Sequence, residues 1–552
     1  MSPTAAGLLS IATLVALLAA AYVPLGDYMA RVYTGTTHLR VERLVYRVSG
    51  VRPDAEQSPR AYLLSVLGFS LVSLVALMAI LMAQSWLPLD RGMEGMPLWM
   101  SYNTAASFVA NTNWQSYAGE STLGFTAQMA GLAVQNFLSA AVGMAVAVAL
   151  VRGFVRVRSG TLGNFWVDLT RGTLRILLPL AFVGAVLLMV GGVVQTFSDV
   201  SIHTLTGQEQ TLPGGPVASQ EVIKLLGTNG GGFFNANSAH PLENPNSVTN
   251  LLQILLILLI PVSLTRTVGT MLGNRKQGLA ILGTMAFLFV VLLVTTTWAE
   301  AGSHSPTARA AGAALEGKEA RFGEWASSLF AVATTGTSTG AVNSAHDSFT
   351  PVGGGAVLLN MMLGEIAPGG VGSGIYGILV MAILAVFVAG LMVGRTPELL
   401  GKKIGTRQLT YVALYTLTTP ALVLVGSGTA IALHSTPDAM GNPGGHGWSE
   451  VLYAYTSGAN NNGSAFGGLT VTSDFFQITI GLAMLLGRFL PIALVLLLAG
   501  SLAAQPRLPA TAGTLPTHTP LFAGVLTGVI VVMTGLTYFP GLALGPIAEA
   551  LA

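Results

Sequence analysis

Long apolar runs recur along the whole chain, and their length restricts where it can fold. About 20 apolar residues in a helix cross the hydrocarbon core of a bilayer. Of the 552 residues, 52% are hydrophobic and only 9% are charged, whereas a soluble domain carries about 25% charged residues. The sequence therefore predicts an all-α polytopic membrane protein with about ten spans. The predicted spans lie near residues 6–25, 62–86, 127–151, 173–196, 250–272, 279–299, 374–394, 410–433, 475–500 and 521–540.

The distribution of Lys and Arg predicts the orientation of these spans. No basic residue precedes the first apolar run, so we interpret it as a retained helix rather than a signal peptide. Nineteen of the 25 Lys and Arg residues lie in the odd-numbered connections or at their helix ends. By the positive-inside rule those connections are cytoplasmic. Both termini and the four long connections are therefore expected on the extracytoplasmic side.

Each of the four long connections contains the same kind of polar stretch, rich in Gly, Asn, Thr and Ser. Aligning the third stretch with the fourth matches Leu329 with Leu452 and Gly340 with Gly463. This predicts a repeated unit of span, short amphipathic helix, polar loop and span, far longer than a solenoid repeat. The predicted division is an N-terminal span with a basic loop (1–60), pore repeats 1 to 4 (61–160, 161–275, 276–400 and 401–505) and a C-terminal span (506–552).

Such loops favour a cation filter over other membrane functions. Irregular backbone at membrane depth is tolerated only where it is buried in protein or lines a water-filled cavity. Glycines allow unusual backbone angles, and a ring of backbone carbonyls can replace the hydration shell of K⁺. The three clearest loop cores contain no charged side chain, whereas a ring of Asp or Glu would indicate a divalent or less selective pore. We expect four units around a pseudo-four-fold axis.

Two alternatives compete with this interpretation. The loops could merely cap a helical bundle, or the chain could be a secondary transporter with broken helices. Such transporters usually have two repeats and a substrate site at the membrane midplane. Four spaced loops on one side favour the pore.

Five motifs of the sequence are specific enough to compare with known families. They are Thr112–Gln115, Thr228–Pro241, Gly340–Asn343, Gly390–Glu398 and Asn460–Phe466. These motifs closely resemble those of the potassium-binding subunits of Kdp potassium-transporting ATPases, which belong to a superfamily of K⁺ transporters and channels. The resemblance extends over essentially the whole chain.

The resemblance implies a fold like that of K⁺ channels and Trk/Ktr/HKT transporters. It also implies ATP-driven, high-affinity K⁺ uptake across a bacterial plasma (inner) membrane. The implied partners are a P-type ATPase subunit (KdpB-like), a single-span subunit (KdpC-like) and a small membrane peptide (KdpF-like). K⁺ would be the bound substrate, ATP would be used by the partner only, and no organic cofactor is expected.

The family's filter maps onto three residues of each loop. The first loop departs from the others, because Asn113 stands where they have Gly, which puts exact four-fold equivalence in doubt. Gln115 resembles a family position that lines the ion path. The implied filter residues are Asn111, Thr112, Asn113, Thr228, Asn229, Gly230, Ser338, Thr339, Gly340, Asn461, Asn462 and Gly463.

A Gly-rich run at 364–374 and two arginines are candidates for a gate on the ion path. The run contains Glu365, Gly369 and Gly370. It is either an ordinary loop or an intramembrane loop below the filter that diverts ions toward a pump subunit. Arg488 lies in the ninth span, where a charge is costly. It either blocks cations or forms a structural pair with a carboxylate such as Glu365. Arg395, in the motif at 390–398, is a further candidate.

ATP hydrolysis is not expected on this chain. It contains neither a Gly-x4-Gly-Lys-Ser/Thr loop nor the Asp-Lys-Thr-Gly segment of P-type pumps. With no Cys, thiolate metal sites and disulfides are excluded. We interpret the eight histidines as solvated loop residues. A stand-alone Trk/Ktr-like passive K⁺ channel or symporter is the alternative to a subunit of an ATP-driven complex.

Overall fold

The computed structural model describes residues 2–302, 310, 314–392, 394, 397–509 and 514–551. Within them, ten helical stretches are long and apolar enough to cross a membrane. Each overlaps one of the predicted spans, so the predicted count is confirmed. The stretches are Pro3–Thr34, Pro59–Met82, Ala127–Val155, Phe165–Val190, Ser247–Met271, Arg275–Ala301, Ser373–Met392, Thr406–Ile431, Asp474–Ala503 and Pro520–Leu551.

Several of these stretches contain more than one helical segment. Single π-helical turns at Ala127–Ala133, Gly172–Leu177 and Ala543–Ile547 precede or join the α-helices there. The α-helices are α1 (Pro3–Thr34), α2 (Arg40–Val48), α3 (Pro59–Met82), α4 (Leu98–Val109), α5 (Gly119–Thr122), α6 (Val134–Val155), α7 (Phe165–Arg171), α8 (Leu178–Val190), α9 (Val217–Leu226), α10 (Ser247–Met271), α11 (Arg275–Ala301), α12 (Gly323–Gly336), α13 (Pro351–Met362), α14 (Ser373–Met392), α15 (Thr406–Ile431), α16 (Gly444–Asn460), α17 (Asp474–Ala503), α18 (Pro520–Leu542) and α19 (Ala548–Leu551).

Two short antiparallel hairpins interrupt the otherwise helical fold. Strands β1 (Val200–His203) and β2 (Glu209–Leu212) pair in the long connection before α9. Strands β3 (Glu398–Leu399) and β4 (Lys402–Lys403) pair after α14. The sequence reading did not foresee either hairpin, and neither changes the helical class.

Helix starts follow local sequence signals. Ser58 caps α3 by accepting a hydrogen bond from the Ala61 amide at 3.2 Å, and proline follows at the first helical position. Asn246 caps α10 by accepting from the amides of Val248 and Thr249. Such side chains satisfy amide groups that have no partner in the first helical turn. The spans therefore begin where the chain changes from polar to apolar.

Burial separates the spans into an inner and an outer set. In the apolar centres of the stretches ending at Val155, Met271, Met392 and Ala503, between 56% and 83% of residues are buried. In the other six stretches the buried share is 6% to 39%. Each inner span follows one of the short helices α4, α9, α12 and α16 in the chain, with α5 intervening in the first case and α13 in the third. The four inner spans therefore lie within the protein, whereas the other six are exposed at its periphery.

The interpretation of the histidines as solvated is wrong for His346. Its side chain is buried, and its Nδ1 lies 3.0 Å from the hydroxyl of Tyr453 in the fourth repeat. Burial, together with the charge of Lys318, lowers the pKa of His346 to about 3. This histidine is therefore a neutral packing residue between the third and fourth repeats. His304 lies outside the described residues.

A second histidine, His446, ties the start of α16 to the C-terminal end of the chain. Its Nε2 lies 3.0 Å from Asp347 and its Nδ1 lies 2.9 Å from Glu549. The hydrogen bond to Asp347, assisted by that to Glu549, raises the pKa of His446 to about 9. At neutral pH the ring is therefore a cation that holds two carboxylates.

This ion triad predicts a loss of stability at alkaline pH. Because the folded-state pKa lies above the ordinary 6.5, the stabilisation is complete below about pH 6.5 and is lost as the pH rises through about 9. The full shift corresponds to about 3.4 kcal/mol, and solvent screening of the partly exposed ring makes the actual loss smaller. It is measured as a fall in the unfolding temperature between pH 7 and pH 10. His446→Gln removes the titrating group and should flatten this part of the profile. An equally steep fall in His446→Gln would contradict the assignment.

Candidate functional site

The four polar loops share one backbone conformation directly after their short helices. In each, the first residue of the proposed filter triplet has a positive φ, between 48° and 64°. The amide of the second residue then donates to the carbonyl five positions earlier, at 2.8 to 3.1 Å. This left-handed residue with a six-residue hydrogen bond is the Schellman ending of a helix. The amide–carbonyl pairs are Thr112 with Ser107, Asn229 with Lys224, Thr339 with Thr334, and Asn462 with Ser457.

The third triplet residue also has positive φ in all four loops. Gly230, Gly340 and Gly463 have φ values of 98°, 78° and 104°, and Asn113 has 57°. Asn is among the few residues other than Gly that tolerate this region. Asn113 therefore takes a left-handed conformation similar to that of the glycines, and the departure of the first loop does not change this backbone pattern.

Close backbone approaches join the loops into a closed ring. A Cβ atom added to a glycine of one loop would lie between 1.6 and 2.7 Å from a carbonyl oxygen of the next loop. Only a residue without a side chain fits at such distances. The approaches are between Gly230 and Thr339, Gly340 and Asn462, Gly463 and Thr112, and Gly231 and Asn113.

Thr228, at the start of the second triplet, is the most strained residue of the ring. It has a φ of 48°, which is a genuine outlier for a β-branched side chain. Its hydroxyl accepts a hydrogen bond from the Val371 amide at 3.0 Å. Its carbonyl accepts another from Asn111 of the first loop at 2.8 Å. Strain of this kind persists where the surroundings fix the conformation, and it concentrates at functional sites.

Two cavities lie on either side of the ring. The outer vestibule has a volume of about 770 Å³ and is lined by the third triplet residues Asn113, Gly230, Gly340 and Gly463. The inner cavity has a volume of about 110 Å³ and is lined by the first triplet residues Ser338 and Asn461. The third and fourth triplets therefore run from one cavity to the other, as part of the wall of a passage between them.

Gln115 lies at the outer vestibule. Its side-chain oxygen accepts a hydrogen bond from the Gly232 amide at 3.1 Å. Its nitrogen lies 3.4 Å from the Tyr117 hydroxyl. Gln115 therefore joins the first loop to the second just beyond the ring.

Two polar residues of α6 support the first loop, and the sequence reading missed both. Asn136 accepts a hydrogen bond from the Asn113 side chain at 2.6 Å. Ser139 donates to the Asn111 side chain at 2.7 Å. Polar residues three apart lie on one face of a helix. The sequence signal that could have identified them was therefore a pair of polar residues inside an apolar span.

The Gly-rich run from 364 to 374 is folded against the ring and is almost wholly buried. It separates α13 from α14, which is the third inner span. The Gly369 amide donates to the carbonyl of Gly336 at 2.7 Å. A Cβ on Gly370 would lie 3.0 Å from the Thr337 carbonyl oxygen. The run is therefore packed under the second and third loops.

Glu365 brings a carboxylate into this buried run. The residue is 1% exposed, and Ser338 and Asn462 are its polar neighbours in the ring. Neither carboxylate oxygen has a hydrogen-bond partner at standard geometry within the described part of the chain. A buried carboxylate with no cation within 4.0 Å among the described residues is costly, which makes Glu365 a candidate functional group.

Arg488 lines the inner cavity and is buried. Within the described part of the chain its guanidinium makes two long hydrogen bonds, 3.4 Å to the Tyr376 hydroxyl and 3.5 Å to the Ser139 carbonyl. Among the described residues, no carboxylate oxygen lies within 4.0 Å of it. The direct pair with Glu365 that we considered is therefore not formed. Arg395 lies outside the described residues.

Comparison with known proteins identifies the family. The family model described as "Potassium-transporting ATPase A subunit" (KdpA) matches residues 12–551. The chain belongs to this family. Its KdpA relatives include potassium-transporting ATPase potassium-binding subunits from Kineococcus radiotolerans, 62% identical, and Nocardia farcinica, 63% identical. Both alignments cover 100% of this chain, with 99% and 100% of the respective relatives.

One solved structure shows a similar fold at low sequence identity. It is the crystal structure of the potassium transporter TrkH from Vibrio parahaemolyticus, with a TM-score of 0.53 and 13% identity. The alignment covers 86% of this KdpA chain and 97% of TrkH. The likeness supports the predicted channel-like architecture of four repeats.

Proposed function

We propose that this chain is the K⁺-selecting, K⁺-translocating subunit of a bacterial ATP-driven K⁺ uptake complex. The observation that carries the proposal is the closed ring of four like loops between two cavities. Membership of the KdpA family, whose relatives are named potassium-binding subunits, supports the ion and the complex.

The proposed filter consists of the twelve triplet residues of the four loops. The left-handed backbone conformation at the first and third residues of each triplet favours an arrangement in which the carbonyls line the passage. The C-terminal ends of α4, α9, α12 and α16 point their partial negative charge at it. Carbonyl oxygens in this arrangement replace the water around K⁺ without any charged side chain. Gln115 stands at the entrance.

Below the filter, the run at 364–374 is proposed to act as a gate. Glu365 offers a negative group under the ring, while Gly369 and Gly370 allow the run to pack against it. Arg488 places a positive charge at the inner cavity and opposes straight passage to the cytoplasm. Ions would then leave sideways toward a P-type ATPase partner subunit (KdpB-like), which hydrolyses ATP.

The remaining assignments follow the same proposal. A single-span subunit (KdpC-like) and a small membrane peptide (KdpF-like) complete the complex. The distribution of basic residues favours extracytoplasmic termini and an extracytoplasmic outer vestibule. No catalytic chemistry is assigned to this chain.

The decisive experiment is purification of the chain from its native membrane, with ATPase activity measured in K⁺ and in Na⁺. We expect an ATPase to co-purify and to be stimulated by low K⁺ and not by Na⁺. As a control, the chain is also reconstituted alone in liposomes. Electrogenic K⁺ flux from the chain alone would overturn the proposal in favour of a Trk/Ktr-like passive channel or symporter.

A further inference from the structure

A buried ammonium group lies directly behind the second loop of the ring. Lys224, on α9, is fully buried, and its Nζ lies 2.7 Å from Glu221 and in hydrogen-bond contact with Glu243. Both carboxylates are buried as well. A buried charge is retained only with partners, and nothing in the proposed ion path uses this one.

The other three repeats have small hydroxyl side chains at the equivalent position. The Lys224 carbonyl accepts from the Asn229 amide in the Schellman ending, as Ser107, Thr334 and Ser457 do in their loops. The Ser457 hydroxyl accepts from the Gly463 amide at 2.9 Å, so a side chain here reaches the third triplet residue. Lys224 is therefore at a position that acts on the filter.

Asn237 connects the lysine to the filter. The chain returns after the second loop, and the Asn237 side-chain nitrogen donates to the Gly230 carbonyl at 2.8 Å. The Asn237 side-chain oxygen accepts from Lys224 at 2.8 Å and from the Val342 amide, beyond the third loop, at 3.2 Å. Donors on one side and an acceptor on the other fix the orientation of this amide.

The cluster also lies in direct contact with the backbone that leaves the second triplet. A Cβ on Gly232 would lie 2.9 Å from Glu243, 3.0 Å from Asn237 and 3.2 Å from Lys224. Interiors packed at this density transmit displacements. A change at Lys224 is therefore transmitted to the second loop.

We propose that Lys224 and Asn237 are positioning residues that hold the Gly230 carbonyl and thereby set the discrimination between K⁺ and Na⁺. A carbonyl held by the hydrogen bond from Asn237 is restrained from shifting to coordinate the smaller Na⁺. Lys224 orients the Asn237 side-chain amide, and that amide holds the Gly230 carbonyl. The two nearby glutamates balance the charge of the lysine. This inference rests on the proposed function of the ring.

The test compares Lys224→Met and Asn237→Asp with the wild type in the assembled complex. Lys224→Met keeps an unbranched apolar side chain, one heavy atom shorter, and removes the ammonium group. Asn237→Asp keeps the acceptor for Lys224 and removes the donor to Gly230. We expect either variant to lower the ratio of K⁺ to Na⁺ stimulation of the ATPase by about tenfold. A combined variant should lose little more, because both changes break one chain of contacts.

A second buried lysine provides the matched control. Lys402 is buried, and its Nζ donates to the carbonyls of Arg156 and Gln505, far along the chain from the loops. Lys402→Met should leave the ion ratio unchanged. If the Lys224→Met complex does not assemble, the ion ratio of Asn237→Asp alone tests the inference. If K⁺ stimulates the wild-type complex but the variants keep its ratio of K⁺ to Na⁺ stimulation, this inference is wrong while the proposed function stands. A wild-type complex without K⁺ stimulation overturns the proposed function as well.

Discussion

Replacing Gly230 by aspartate is expected to abolish high-affinity K⁺ stimulation of the assembled complex. Gly230 has a φ of 98°, and a Cβ there would lie 1.6 Å from the Thr339 carbonyl oxygen. The second and third loops must separate to admit the side chain, and its carboxylate adds a charge that attracts cations of any size. The K⁺ concentration for half-maximal ATPase activity should rise by roughly a hundredfold or more, ~2.7 kcal/mol of lost ion binding.

Two matched variants distinguish a filter defect from general damage. Gly207, in the β1–β2 turn, has a φ of 79° and open space around its Cβ position. Gly207→Asp therefore introduces the same kind of backbone strain as Gly230→Asp, but at a position outside the ring. Gly273, between α10 and α11, has a φ of 66° and the same open space, so Gly273→Asp is a second control of this kind. Both should keep near-normal K⁺ dependence. Unchanged K⁺ affinity and selectivity in Gly230→Asp would count against the filter.

Replacing Arg488 by glutamine is expected to open a passive leak through the chain. The guanidinium lines the inner cavity, and no carboxylate among the described residues neutralises it within 4.0 Å. A unit charge roughly 6 Å from an ion, at an effective dielectric constant of about 20, opposes its entry by ~3 kcal/mol. Without this charge, K⁺ occupancy of the cavity should rise by roughly a hundredfold.

The leak is measured as K⁺ flux in proteoliposomes that contain the assembled complex and no ATP. Arg488→Lys keeps the charge, and Tyr376→Phe removes the 3.4 Å contact with Arg488. Both controls should remain tight. A tight Arg488→Gln complex with normal ATP-coupled uptake would assign Arg488 to packing and remove it from the ion path.

The sequence was sufficient for features that depend on local composition. Ten apolar runs give ten spans because the thickness of the bilayer sets the length of apolar helix needed to cross it. Gly230, Gly340 and Gly463 lie in stretches that cannot continue a helix, so the short helices end where expected. Asn113 obscured the equivalence of the first loop, although Asn is suited to the left-handed conformation it adopts.

Features that depend on contacts between distant residues were not predictable. In the sequence, Lys224 is one of the few basic residues of the connections predicted to be extracytoplasmic. Its burial depends on contacts with Glu243 and Asn237, which follow it in the chain. His346 is buried because Tyr453 of another repeat meets it. Arg488 was recognised from its cost in a span, but its distance from Glu365 is a tertiary property. The repeat boundaries and the roles of the filter residues stay predictions.

The ring is made by one continuous chain, and this has a consequence for how it can change. In an assembly of four identical subunits, every substitution at a helix end appears four times around the ion. Four lysines at the level of Lys224 would bring four charges close to the same passage. A single chain can introduce one such residue and balance it with Glu221 and Glu243 nearby. The side chains of its four repeats can therefore change independently while the backbone pattern at the ion is retained. One repeat can be adapted to hold its carbonyls rigidly and another to release the ion.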